Sequence, residues 1–375
     1  MTASVLFSPI DLRALTLRNR VVVSPMCEYS STDGFANDWH VVHLGSRAIG
    51  GAGLVLTEAI AVTAEGRISP QDLGIWDDAH GEQLARIARF CSQHGAAWGT
   101  QLAHAGRKAS TKAPWDGHGA VAIADGGWTP VGPGAEPFDP TYPVPGALDE
   151  TGIAGIVGAF AAAAQRTLDA GGSVIELHAA HGYLMHQFLS PLVNRRTDRW
   201  GGSFENRIRL AIEVARSVRR VWPERLPVFV RLSATDYVAG GWDIEQSVEL
   251  AKRLRGEGVD LIDASSGGAV PVPPGTIPAG PLYQTPFAER IRREAGIATG
   301  AVGLITEPAD AEAIVAEGRA DLVFLARELL RDPYWPHFAA RALGAQTNWP
   351  KPYERAVGDR ATMRGREHWI GLVKR

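Results

Sequence analysis

Apolar residues fall along this chain in two kinds of run. The short ones are RVVVS (20–24), GLVLTE (53–58), AAWGTQL (96–102), SVIEL (173–177), PVFVRL (227–232), DLIDAS (260–265), TGAVG (299–303) and DLVFLA (321–326). Most are β-branched or aliphatic without alternation, which suits strands buried on both faces of a parallel sheet. The longer runs are amphipathic. EQLARIARFCSQHG (82–95) ends on Gly95, and IAGIVGAFAAAAQRTLDAGG (153–172) stops at a glycine pair. FENRIRLAIEVARSVRRVW (204–222) has an apolar stripe and a charged face. DIEQSVELAKRLRGEG (243–258) opens on an Asp cap, and EPADAEAIVAEGRA (307–320) follows Thr306, the cap expected there.

Eight strands with helices after most of them imply a closed (β/α) barrel or a doubly wound open sheet. The count of eight favours the barrel, and no GxGxxG follows any strand. The expected fold is therefore α/β, a (β/α)8 TIM barrel over residues 1–345, with a tail over 346–375. One long segment interrupts the rhythm. Residues 105–150 are rich in Gly and Pro and carry Trp115 and Trp128. A loop of this length after the third strand reads as a capping or binding loop.

Composition narrows the class. The 375 residues are 45% hydrophobic and 21% charged, with a net charge of −3, so the chain is globular and offers no nucleic-acid face. Two cysteines, Cys27 and Cys91, make no disulfide framework and exclude a cluster held by four cysteines of this chain. The start, MTASVLFSPIDLR, lacks the features of a signal peptide, and no apolar stretch approaches the roughly 20 residues of a membrane helix. A soluble cytoplasmic protein is expected.

In a (β/α) barrel the chemistry sits at the C-terminal ends of the strands. The first strand exits into Ser24, Pro25, Met26, Cys27, Glu28 and Tyr29, and the second into Glu58 and Ala59. The third gives Gln101, then His104, Arg107 and Lys108; the fourth gives His178, His181 and Tyr183. The fifth gives Arg231, the seventh Gly303, and the eighth Ala326 and Arg327. Glu176 is read as alternating to the other side of its strand from His178. Three readings of the histidine pair compete. As metal ligands they would want a carboxylate or a third His, and the cationic surroundings disfavour a dication, so no metal is expected. They could be a satisfied structural pair. Or they are two N–H donors aimed at one oxygen, with a phenol nearby to supply a proton to carbon. Gly303 and Arg327 stand where barrels often bind phosphate, and Arg231 and Gln101 suit the carbonyl-rich edge of a flat heterocycle. FMN fits that set. Pyridoxal phosphate also would, but it needs a Schiff-base lysine, for which only Lys108 is a candidate.

Several blocks together resemble the Old Yellow Enzyme family of FMN-dependent ene-reductases, most closely its bacterial YqjM and xenobiotic reductase branch. They are LRNRVVVSPMCEYS (17–30), DWHVVHLGSRAIGGAGLVLTEAIAV (38–62), IWDDAH (75–80), QLAHAGRKAS (101–110), IELHAAHGYLMHQFLSPLVNRRTDRWGGSFENR (175–207) and LARELLRDPYWP (325–336). The resemblance covers about residues 5–355. It implies a (β/α)8 barrel with FMN at the strand ends and NADPH, or NADH, as reductant. The implied substrate is an activated alkene such as an enone. His178 and His181 would bind its carbonyl oxygen, flavin N5 would give hydride to the β-carbon, and Tyr183 would protonate the α-carbon. Ser24, Pro25, Met26 and Ala59 would contact the isoalloxazine, and Cys27 would touch both flavin and substrate. Gln101 and Arg231 would bond the pyrimidine edge. Gly303, Ala326 and Arg327 would hold the phosphate, with Ala326 where the family usually has Gly. Tyr29 and Lys108 would line the substrate pocket, although a solvated lysine is the rival reading of Lys108. KPYERA resembles the segment whose arginine, here Arg355, reaches a neighbouring subunit's site, which implies a homodimer or homotetramer. The chain departs from the family by running about 20 residues further, through ATMRGREHWIGLVKR. Related amine dehydrogenases and dienoyl-CoA reductases carry an iron–sulfur cluster and extra domains, for which this chain has too few cysteines. The NRRTDRWGGSFENR block is expected to lock the loop after the fourth strand.

Overall fold

The computed structural model describes residues 3–357. Eight parallel strands close into a barrel: β1 (Val21–Val23), β2 (Leu54–Ala61), β3 (Ala97–Ala103), β4 (Val174–Ala179), β5 (Val228–Ser233), β6 (Leu261–Ser265), β7 (Ala298–Val302) and β8 (Leu322–Leu325). Each pairs with its neighbours in chain order, and β8 closes on β1 through Val323 and Val21. All eight expected strands are present. The helices on the outside are α1 (Asp38–Ile49), α2 (Gly81–Gln93), α3 (Glu150–Asp169), α4 (Phe204–Val221), α5 (Ile244–Gly256), α6 (Thr285–Ala295) and α7 (Pro308–Ala316), with α8 (Trp335–Ala342) after β8. Asp243 caps α5 as expected, accepting from the Gln246 amide at 2.8 Å. The cap of α7 is Glu307 rather than Thr306, and its side chain makes no capping bond.

Two faces explain the unalternating strands. Val22, Leu54, Leu56, Val174, Phe229, Leu261, Leu322 and Phe324 cluster on the barrel axis, with Leu12 and Leu17 of an N-terminal hairpin packed against them. Val21, Val23, Val55, Ile175, Leu177, Val228, Val230, Ile262 and Val323 face the helices. Side chains alternate with period two, so Glu176 and His178 share the axial face of Val174. This corrects the expectation that Glu176 turns away from the histidine. Glu176 is fully buried inside the barrel and accepts from Gln101 Nε2 at 2.8 Å.

The segment 105–150 is mostly irregular, with short three-ten turns and a two-residue parallel pair, Val131–Gly132 with Gly146–Ala147. It is tied down over the mouth: Trp128 Nε1 donates to the Glu65 carbonyl at 2.8 Å, and the Arg67 guanidinium lies 4.8 Å from the Trp128 ring centre. At the other end of the barrel, Trp349 stacks 4.1 Å from His337, whose Nε2 bonds the Ile49 carbonyl. The backbone of Arg355 follows in a three-ten turn, Lys351–Ala356, while its side chain and residues 358–375 lie outside the described residues. Among the described residues no helix is long and apolar enough to cross a membrane.

Candidate active site

The axial face changes character along the barrel. Above the apolar layer of Val174, Phe229 and Leu261 comes a polar layer: Gln101, Glu176, Arg231 and Asp263, each 6% exposed or less. Arg231 Nε stands 3.1 Å from Asp263 Oδ2. One guanidinium thus faces two carboxylates in a dry interior, which favours keeping a proton on a carboxyl. Burial pushes Glu176 up to about 8, with the Asp263 charge adding to it; burial pushes Asp263 up to about 6 against the pull of Arg231. Asp263 was not expected here. It lies two residues before Ser265, as Glu176 lies two before His178, and strand parity was the signal that places both inward.

The histidine pair comes next. The His178 and His181 ring centres are 5.1 Å apart at an interplanar angle of 86°, and Tyr183 stands edge-on to His178 at 4.9 Å. His178 Nδ1 accepts the Ala180 amide at 3.2 Å, so its proton belongs on Nε2. His181 Nε2 lies 2.7 Å from Ser265 Oγ. The Ser265 hydroxyl also faces Gln284 Oε1, but at 3.4 Å and on an oxygen that Ser266 Oγ already bonds; with its one proton given to the nearer His181 Nε2, His181 carries its own on Nδ1. Each imidazole then presents one free N–H. Burial first, and the charge of Arg231 second, push both histidines well below their ordinary pKa, so they stay neutral. Burial likewise pushes the Tyr183 phenol well above its ordinary value, which keeps the phenol protonated.

Loops from four strands brace this group. Ser233 Oγ accepts the His181 amide at 2.9 Å and donates to the Gly267 carbonyl at 2.8 Å. Lys108 Nζ donates to the carbonyls of His181 at 2.8 Å and Gly268 at 3.1 Å, and lies 5.5 Å from the Tyr183 ring centre. Lys108 is therefore not a solvated lysine. Burial, then the charge of Arg107, lowers it to about 8. The loop after β4 is locked as expected: Arg196 pairs with Asp198 and donates to the carbonyls of Pro133 and Leu148, and Asn194 bonds the carbonyls of Phe188 and Trp200.

The exit of β1 runs beneath the same mouth. The Glu28 amide donates to Glu58 Oε2 at 3.2 Å, which fixes the loop carrying Met26 and Cys27. Burial raises the Cys27 thiol well above its ordinary pKa, with the charges of Asp72 and Glu58 adding to it. Cys27 is thus a neutral thiol and not a thiolate nucleophile. Ala59 pairs in register with Gln101, next to a register shift in β2. Tyr29 meets Trp115 edge-on at 5.5 Å. A cavity of about 520 Å³ opens here, lined by Tyr29, Lys108, Thr111, Tyr142 and Tyr183 among others.

A second cavity, of about 170 Å³, continues from Arg231 and Ser265 past Gly303 to Ala326 and Arg327. Gly303 has φ 119°, and a Cβ there would stand 2.9 Å from Gln284 and 3.0 Å from Tyr283. Arg327 opens the short helix Arg327–Arg331, and no carboxylate among the described residues pairs with it. The buried Ser24 Oγ also lacks a hydrogen-bond partner, and Arg231 Nε has none beyond its ion pair with Asp263. Unsatisfied donors on one side of the mouth, and a glycine cleft with a free guanidinium on the other, fit a flat polar ring ending in a phosphate.

Residues 5–346 match the model of the NADH:flavin oxidoreductase / NADH oxidase family. The chain belongs to this family. It is accordingly a flavin-dependent oxidoreductase with FMN as its cofactor, in agreement with the Old Yellow Enzyme resemblance. An NADPH dehydrogenase of Geobacillus thermodenitrificans is 50% identical over 354 residues, covering 94% of this chain and 98% of the relative. One of Bacillus licheniformis is 48% identical over 353 residues, again 94% and 98%. Among solved structures, morphinone reductase superposes with a TM-score of 0.75 at 28% identity, covering 94% of this chain and 92% of that one. A 2-naphthoyl-CoA reductase superposes at 0.81 with 28% identity, covering 91% of this chain and 52% of the other.

Proposed function

We propose that the protein is an NADPH-dependent ene-reductase that reduces the C=C bond of enones and related electron-poor alkenes. The observation that carries this reading is the His178–His181 pair, ring centres 5.1 Å apart, with Tyr183 4.9 Å from His178; in the tautomers that their partners favour, each imidazole keeps one free N–H beside the phenol. When bound, FMN supplies the two-electron hydride chemistry that links NADPH oxidation to alkene reduction. The relatives named NADPH dehydrogenase support NADPH as the reductant.

His178 Nε2–H and His181 Nδ1–H donate to the substrate carbonyl oxygen and stabilise the negative charge that grows there. Donors fixed in a dry site lose little to reorganisation, so they act more strongly than water would. The Tyr183 hydroxyl gives its proton to the α-carbon. Gln101 and Arg231 hold the pyrimidine edge of the ring, and Ser24, Pro25, Met26, Cys27 and Ala59 lie against it. Gly303, Ala326 and Arg327 hold the phosphate. Tyr29 and Lys108 line the substrate cavity, Lys108 also bracing the histidine turn. Arg355 contributes to the site of a neighbouring copy in a homodimer or homotetramer, which size-exclusion chromatography of the protein and of Arg355→Ala examines. The same reading places the protein in the cytoplasm, where NADPH is available.

The test of the function is direct. The purified protein should be yellow. NADPH under anaerobic conditions should bleach the flavin absorbance, and 2-cyclohexenone should restore it. Flavin that NADPH bleaches and no activated alkene restores would refute the ene-reductase reading, and flavin that NADPH leaves oxidised would refute the reductant.

A further inference from the structure

The turn 180–183, which presents His181 and Tyr183, has an unusual backbone. His181 (φ 58°) and Gly182 (φ 74°) are both left-handed. L side chains resist that conformation, so His181 needs its surroundings to hold it. Gly182 admits no side chain, because a Cβ would stand 1.9 Å from the Gly268 carbonyl oxygen. Ser233 and Lys108 hold the amide and carbonyl of His181 from neighbouring loops. The amide of Gly182 is held from below, by a residue that does not reach the mouth.

That residue is His186, fully buried in the short helix Leu184–Leu189. Its Nδ1 accepts the Gly182 amide at 2.9 Å, and its Nε2 lies 2.9 Å from Asp236 Oδ1. A backbone amide can only donate, so Nδ1 must be bare and Nε2 must carry the proton. Asp236 is the acceptor that selects this tautomer. The carboxylate is itself fixed, its Oδ2 accepting from Ser190 Oγ at 2.6 Å and from the Trp242 amide at 2.8 Å. Burial raises Asp236, but the bonds from His186 and Ser190 outweigh it and hold the carboxyl below its ordinary range. A chain of fixed bonds therefore runs from the loop after β5 to the amide between the two substrate-facing residues.

We infer that His186, held by Asp236, is a positioning residue for the carbonyl-binding pair: its bare Nδ1 fixes the Gly182 amide and thereby the left-handed turn that aims His181 and Tyr183. The inference rests on the ene-reductase reading for what the turn binds, and on geometry alone for what holds the turn. Two substitutions separate the halves of the imidazole. In His186→Asn the side-chain oxygen replaces Nδ1 and keeps the Gly182 bond, while the Asp236 bond is lost. In His186→Gln the amide nitrogen replaces Nε2 and keeps the Asp236 bond, while the Gly182 amide loses its acceptor.

Two readouts on the FMN-loaded protein test it: amide hydrogen exchange of the peptide over 178–185, and the dissociation constant of a para-substituted phenol read from the flavin spectrum. In His186→Gln, exchange in 180–183 should rise at least about tenfold with 54–61 unchanged, and phenol binding should weaken about tenfold or more. FMN affinity should stay within about threefold, and His186→Asn should keep phenol binding within about threefold. Wild-type exchange and wild-type phenol binding in His186→Gln would overturn the inference. So would equal losses in both variants with faster exchange throughout the barrel, which would mark His186 as merely structural. A protein that takes up no FMN would sink the ene-reductase reading instead, and the exchange data would still decide the role of His186.

Discussion

Replacing Glu176 with Gln should leave stability nearly unchanged at about pH 5 and raise it by about 2–5 kcal/mol at about pH 9. The cause lies in the polar layer of the barrel interior. Glu176 is fully buried, and its Oε2 has no hydrogen-bond partner. Burial is the largest influence on it and the Asp263 charge the next; Arg231 and the Gln101 bond oppose them and fall short, leaving the carboxyl at about 8 against an ordinary 4.5. A folded-state pKa above the unfolded one means that the native chain binds the proton more tightly. Stability is therefore complete below the unfolded value and is lost as pH rises through the folded one. At about 1.36 kcal/mol per pH unit the loss is at most about 5 kcal/mol, and relaxation around the charge reduces it. Gln removes the charge while its amide oxygen still accepts from Gln101. The assay is the urea midpoint of wild type and Glu176→Gln across this pH range, on FMN-loaded and FMN-free protein alike. A variant that tracks the wild type at every pH, or is destabilised equally at both ends, would refute the reasoning.

Other perturbations follow from the site. Gly182→Ala places a methyl 1.9 Å from the Gly268 carbonyl on a left-handed backbone, and should weaken phenol binding by at least about 3 kcal/mol, roughly a hundredfold, in a spectral titration. Arg327→Ala removes the charge beside the Gly303 cleft and should cost about 2–3 kcal/mol of FMN affinity, seen by quenching of flavin fluorescence on the FMN-free protein. His178→Ala leaves one donor for the carbonyl and should lower kcat/KM for 2-cyclohexenone by about a hundredfold. Tyr183→Phe should slow flavin reoxidation by the alkene about a hundredfold or more, with flavin reduction by NADPH within a few-fold, in stopped-flow absorbance. Equal loss in both half-reactions would make Tyr183 structural.

The barrel was legible because its strands are buried on both faces and read as unbroken apolar runs. The helices were harder. α1 went unread because Trp39 and Val42 point outward, 53% and 66% exposed, and blur its apolar stripe. α6, TPFAERIRREA, is short and mostly charged. Thr306 looked like a cap because Thr commonly is one, yet the chain turns into α7 one residue later through Glu307 and Pro308. Within the site, His178, His181 and Tyr183 stood out because polar rings are rare at the end of an apolar strand. Ser233 and Ser265 did not, since serine at a strand end is ordinary, and only the fold brings their hydroxyls to His181. Glu176 was visible but assigned to the wrong face, an error of one step in a period of two. Lys108 could not be told from a surface lysine without the two carbonyls that receive it.

The histidine pair as a shared oxygen site is the claim on which the account turns. A para-substituted phenol added to the purified yellow protein tests it most directly, followed by visible absorption. A phenolate oxygen seated on His178 and His181 stacks its ring on oxidised flavin, and a new long-wavelength band should appear that saturates with phenol and weakens in His178→Ala. Flavin bands that stay unchanged at saturating phenol would contradict the placement of the two imidazoles over the flavin.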